Sequence, residues 1–500
     1  MTTEREPTTE PKPAREPEPK HKGQLRRELF FWEAIALSIA IMAPTAAMAL
    51  NGVGVAGLIG RAVPLAFIFA WVAVLFVSYA FVQLSRHFNH AGSVYAFSGA
   101  TLGPQTGFFA GWALFGTYLA FTAASTAEAG LFGETFFKTS GIWDSASWIV
   151  IALVAGGLVA FFAYNRVRLV TRTLLTIEGI SVALIVILVI AIFATLLFGN
   201  PPGNQGFTAD IFKVPGGTSV DTVATAAVFG FLSFAGFEGA AALGEETNNP
   251  RRNISRAIAT AVIVAGLFYV IVIISQTLGY GTDPAGVKAY STSAGPFSDL
   301  SKSYVGSVLR DFINIGATVS AFASALATAV AGSRILFAMS RDATPSSPLG
   351  KASPRTGAPA GALAVVMTIA LAVVVIQRLN NTSAVNAFFY PGTIGVLSLL
   401  VAYMVTNLGA IRYLWIGRRR APLWQIPIPL VGMAFLGYTI YKQVSGQVFP
   451  YDRFPYLVLG WLLLSVVVVL TAPGLARRLG EGLARREGMA EEAPTPATPT

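Results

Sequence analysis

Two carboxylates lie where a carboxylate is costly. Glu178 and Glu238 both fall inside long apolar stretches of this 500-residue chain. A charge among apolar residues is unfavourable unless it is used, so such groups point to proton exchange or to the handling of a cation. Glu178 either titrates or pairs with Arg168 or Arg172 at the rim of its stretch. Glu238 either exchanges protons or caps freed backbone N–H groups. A third carboxylate, Glu128, falls near the outer end of its stretch and reads as interfacial. Hydroxyls recur at i, i+4 and i+8 as Ser320, Ser324 and Thr328, with Thr318 beside them. They offer hard oxygen ligands for sodium, but small polar residues also let helices pack closely, which is the favoured reading.

Other chemistry is excluded. The chain has no Cys, hence no disulfide, thiolate metal site or thiol catalysis. Its three His (His21, His87 and His90) form no metal pair. No Gly-rich phosphate loop joins a strand to a helix. The sequence therefore predicts neither an enzyme nor an ATP-driven pump, and no cofactor beyond a coupling ion, proton or sodium.

The elements that must hold these residues are apolar helices. Hydrophobic residues make up 54% of the chain and charged residues 12%, with mean hydropathy +0.61. About a quarter of a soluble chain is charged. Twelve stretches are long enough to span a bilayer: 32–59, 63–85, 105–131, 147–164, 173–198, 222–243, 256–279, 310–339, 358–377, 385–411, 424–442 and 454–473. The stretch 147–164 is marginal alone. The net charge of +10 is not a nucleic-acid footprint. Arg and Lys crowd one set of loops, among them Arg166, Arg168, Arg172, Arg251, Arg252, Arg418, Arg419 and Arg420, as the positive-inside rule requires of cytoplasmic loops. An even span count puts both termini in the cytoplasm and the protein in the cytoplasmic membrane. Residues 1–29 and 476–500 read as disordered tails, and the N-terminal segment is not a signal peptide.

Two stretches are interrupted at their middles. The first carries Ile41-Met42-Ala43-Pro44-Thr45-Ala46, and the sixth carries Ser233-Phe234-Ala235-Gly236-Phe237-Glu238-Gly239. Breaks expose backbone groups that lipid cannot satisfy, so they are tolerated where they line a cavity. Paired breaks in two halves point to a transporter's binding site. A half-helix N-terminus suits a carboxylate, and a half-helix C-terminus suits an ammonium.

Motifs follow in order: His90-Ala91-Gly92-Ser93-Val94-Tyr95, Gly107-Phe108-Phe109-Ala110-Gly111-Trp112, Glu245-Glu246-Thr247-Asn248-Asn249-Pro250-Arg251-Arg252-Asn253-Ile254 and Ser333-Arg334-Ile335-Leu336-Phe337-Ala338-Met339-Ser340-Arg341-Asp342. Together with the sixth-stretch break they resemble the amino acid–polyamine–organocation permeases. The resemblance implies an all-α polytopic fold of about twelve helices. A five-plus-five inverted repeat would occupy 30–205 and 206–413, with two extra helices over 414–475 and helices 1 and 6 unwound. It implies a secondary transporter of amino acids working by alternating access, monomeric or homodimeric. Proton symport is the expectation, with exchange of amino acids or amines, sodium coupling and a non-transporting sensor as alternatives. The backbone around Ala43, Pro44, Thr45 and Ala46 would take the carboxylate, and that of Ser233, Phe234, Ala235 and Gly236 the amine. Glu238, Glu178, Thr328 and Ser324 are the coupling and gating candidates, and Phe234 is a possible gate. Many relatives carry Gly-x-Gly where this chain has Ala43-Pro44-Thr45, so two Cβ atoms narrow the approach. A neutral, apolar amino acid is the first choice of substrate, and a cationic amino acid or an amine is the alternative.

Overall fold

A computed structural model describes residues 30–88, 93–165, 167–216, 218–244, 247–344, 346–417, 421–445 and 447–486. Both expected tails fall wholly or largely outside these residues. So do motif residues His90, Ala91, Gly92, Glu245 and Glu246, the basic run 418–420, and the side chains of Arg168 and Arg172.

Among the described residues the chain is helical, with no strand. In order come α1 (Phe31–Met42), α2 (Pro44–Ile59), α3 (Val63–Ser85), α4 (Val94–Leu102), α5 (Pro104–Thr139), α6 (Trp148–Tyr164), α7 (Val167–Phe198) and α8 (Val220–Phe234). There follow α9 (Pro250–Tyr280), α10 (Pro284–Thr292), α11 (Pro296–Tyr304), α12 (Ser307–Ala343), α13 (Ala360–Leu379), α14 (Ala384–Ile411), α15 (Pro427–Val444), α16 (Phe454–Thr471) and α17 (Pro473–Arg486). Proline opens many of them, including α2, α5, α9, α10, α11 and α15. A first-turn N–H has no intrahelical partner, so its loss there is harmless.

Ten helical stretches among the described residues are long and apolar enough to cross a membrane. The first, Phe31–Ser85, contains α1, α2 and α3, and the shorter apolar helix Trp148–Tyr164 stands apart from the ten. This is a multi-pass membrane protein. Large apolar side chains such as Val154, Phe161, Ile190 and Leu457 are exposed on α6, α7 and α16, where a bilayer would cover them.

The long helix α5 packs extensively against α12 and α14 at the centre. Small residues make this approach possible: a Cβ added at Gly395 would come 2.7 Å from the Phe121 ring. At the C-terminus, residues 476–486 are helical rather than part of a disordered tail. Leu475 and Leu479 recur at i, i+4, and Leu479 is fully buried as α17 packs on α12 and α5.

Candidate functional site

The first break is sharp. Helix α1 stops at Met42, Ala43 takes φ 41° and ψ 68°, and α2 starts at Pro44. Left-handed backbone costs an alanine about 1–2 kcal/mol. Pro44 explains the stop, since its ring clashes with the preceding turn and it has no N–H to continue the ladder. The freed groups are then partnered from other helices. Thr45 N–H donates to Glu178 Oε1 on α7 at 2.9 Å. Ala46 N–H donates to Ser320 Oγ on α12 at 3.2 Å. Ala43 N–H stays within its own helix, on Ile39 O at 2.8 Å. At the carbonyl end, Ile41 O accepts from Ser324 Oγ at 3.1 Å.

The second break uses glycine. Helix α8 ends at Phe234, Ala235 is extended, Gly236 has φ 104°, and a 3-10 segment runs over Phe237–Leu243. The two breaks touch: a Cβ at Gly236 would lie 2.1 Å from Ile41 Cγ2. Ser38 of α1 staples them, donating to Phe237 O at 2.8 Å and accepting from Ala240 N–H at 3.0 Å. Glu238 is fully buried and accepts from the Tyr118 hydroxyl of α5 at 2.7 Å and from the Tyr403 hydroxyl of α14. Its carboxylate thus ties the unwound segment to two neighbouring helices. Asn51 Nδ2 of α2 donates to Ser233 Oγ at 2.7 Å.

Both breaks open on one cavity. Its wall is made by Ile41, Met42, Ala43, Ala47 and Asn51, by Phe121, Ala124, Ser125 and Glu128 of α5, by Leu232 and Ala235, by Ser324 of α12, and by Phe388 of α14. Of the residues singled out in the sequence for binding or gating, Ala43, Ala235 and Ser324 lie on this wall. Pro44, Thr45, Ala46, Ser233, Phe234, Gly236, Glu178, Glu238 and Thr328 are not among its lining residues. The Phe234 ring packs edge-on against Tyr269 in the core, and the aromatic rings on the wall are Phe121 and Phe388 instead.

Glu128 corrects its sequence reading. It is not interfacial but 2% exposed, on the cavity wall, with Oε1 lacking a hydrogen-bond partner. A signal was available: Phe121, Ser125 and Glu128 recur at i, i+4 and i+7, one face of a helix. That Glu178 meets Thr45 across the fold had no such local signal.

The α12 hydroxyls are already engaged. Ser320 takes Ala46 N–H, Ser324 bonds Ile41 O and lies 3.0 Å from Ser125 Oγ, and Thr328 donates to Ser324 O at 2.7 Å. Thr122 Oγ1 donates to Thr328 Oγ1 at 3.2 Å. These contacts knit α1, α2, α5 and α12 together. No group of three or more His, Cys, Asp or Glu side chains that could hold a metal ion occurs among the described residues. Chemically, the cavity offers acceptors and apolar surface: two carbonyl-terminated half-helices, a buried carboxylate, an amide and two rings.

The Amino acid permease family profile matches residues 33–435. The chain is 26% identical over 398 residues to the low-affinity putrescine importer PlaP of Escherichia coli (strain K12), covering 79% of this chain and 83% of that protein. It is 26% identical over 469 residues to the branched-chain amino acid permease BcaP of Bacillus subtilis (strain 168), covering 85% and 94%. Cationic amino acid transporter 3, mitochondrial, of Arabidopsis thaliana is 24% identical over 336 residues, covering 64% and 53%.

Proposed function

The chain belongs to the amino acid permease family, and from that premise we propose that it is a secondary transporter of amino acids or their amine counterparts in the cytoplasmic membrane. One observation carries the reading. Met42 and Ala43 at the first helix break and Leu232 and Ala235 at the second line the same cavity. Interrupted helices meeting at a cavity are how such carriers expose polar backbone to a substrate without exposing it to lipid. The amino group is what the named substrates of the two bacterial relatives share, one a diamine and the other branched-chain amino acids. The carbonyl ends of α1 and α8 suit an ammonium.

Alternating access would move the α1–α2 and α8 units against their surroundings, as two five-helix repeats with α15 and α16 added and both termini inside. A proton is the coupling ion in this reading. Glu178 and Glu238 each grip an unwound segment through hydrogen bonds, Glu178 at Thr45 and Glu238 through Tyr118 and Tyr403. Protonation removes an acceptor lone pair and so loosens such a grip. The hydroxyls of α12, the oxygen ligands a sodium site would draw on, are spent on helix contacts. Purified protein in liposomes is expected to accumulate or exchange labelled amino acids or amines. Absence of flux across a broad panel of both would overturn the reading.

A further inference from the structure

We propose that the cavity is built for an organic ammonium ion whose recognition needs no α-carboxylate, with Glu128 as its counter-ion. This rests on the transporter reading and names the substrate class of that same site.

The backbone donors of the site are already occupied. A substrate carboxylate would seek the N–H groups at the start of α2. Pro44 has none to give. Thr45 N–H is held by the Glu178 carboxylate at 2.9 Å and Ala46 N–H by Ser320 at 3.2 Å. Glu178 stands where a substrate carboxylate would, so the chain supplies that group itself. An incoming carboxylate must displace it and then share the cavity with Glu128, an arrangement like charges oppose.

Two side-chain acceptors on the wall are open. Glu128 Oε1 and Asn51 Oδ1 belong to side chains 2% and 1% exposed, both on the cavity wall, and neither has a hydrogen-bond partner. Asn51 spends its Nδ2 donor on Ser233, which leaves its oxygen as the free group. A buried acceptor without a donor is costly. A primary ammonium brings three donors and a charge opposite to that of Glu128. Met42 and Leu232 bring the negative ends of α1 and α8 to the same space. No Lys, Arg or His is among the described residues of the wall. Phe121 and Phe388 supply apolar surface for the hydrocarbon part and ring faces that tolerate a cation.

The test uses pairs that differ only by the carboxylate: isopentylamine against leucine, and cadaverine against lysine. Full-length protein is studied by ligand-induced thermal shift and by uptake into liposomes. In both pairs the amine is expected to half-saturate at about tenfold lower concentration or less, the worth of one charge-assisted hydrogen bond. Glu128→Gln should erase that preference and Glu128→Asp should keep part of it. A Glu128 that only fills space would leave the ratio unmoved in the Gln variant, and that result counts against the proposal. Glu178→Ala frees Thr45 N–H and should shift the ratio toward the amino acid. Should a variant fail to fold, the wild-type ratio decides alone. Amino acids that bind and move as well as their amines would overturn the carboxylate-free site while leaving the transporter reading intact. No response to any amino acid or amine would overturn the transporter reading and this proposal with it.

Discussion

Thr45 N–H meets Glu178 Oε1 at 2.9 Å although the two residues are 133 positions apart. A half-helix that begins at a proline is thus capped by a carboxylate from another helix. The cap does the work of an N-cap side chain, and its negative charge complements the positive end of α2. It also makes α7 a direct holder of the first helix break.

Removing that cap has a predictable cost. Glu178→Ala leaves Thr45 N–H buried without an acceptor, which is worth about 1–3 kcal/mol. The variant's Tm should fall, and Glu178→Gln, which keeps an oxygen there, should fall less. Equal Tm values for the wild type and both variants would show that the contact contributes nothing.

Gly236→Ala should be among the most damaging single-methyl changes. The position has φ 104°, and the added Cβ would lie 2.1 Å from Ile41 Cγ2. Overpacking typically costs about 1–3 kcal/mol, and left-handed backbone adds about 1–2 kcal/mol for a residue with a Cβ. Uptake into liposomes is expected to be lost, with a lower Tm. Gly57→Ala, where a Cβ would meet nothing within 4 Å, is the control and should behave as wild type.

Tyr118 and Tyr403 hold one carboxylate between them. Tyr118→Phe and Tyr403→Phe should each destabilise by about 1–3 kcal/mol, because each leaves Glu238 with one fewer donor. The double variant should depart from additivity, since residues sharing a hydrogen-bond network couple. Chemical unfolding of the three variants measures this. Strict additivity would mean that the hydroxyls act on Glu238 independently.

Uptake should rise with an inward proton gradient and ignore replacement of sodium by choline. A membrane potential supplies about 2.3 kcal/mol per elementary charge per 100 mV, enough to concentrate substrate roughly tenfold or more. Ser324→Ala and Thr328→Ala should lower stability without creating or removing any sodium effect, because their oxygens join helices. Uptake that is flat in pH but dependent on sodium would reverse the assignment of the coupling ion.

The sequence alone determined the class of this protein and the places where its helices break. Apolar length identifies a membrane helix without reference to neighbours, and Pro44 and Gly236 disrupt helices through their own covalent structure. Both signals are local, so both were legible. The tertiary structure alone decided which side chains answer the broken backbone. Glu178 reaches Thr45, and Tyr118 and Tyr403 reach Glu238, across helices that share no sequence register. Glu128 lay on a readable helical stripe with Phe121 and Ser125. Whether that stripe faced lipid, water or a cavity depended on how α5 packs against α12 and α14. Helix periodicity tells which residues share a face; only the packing of the other helices determines what that face meets.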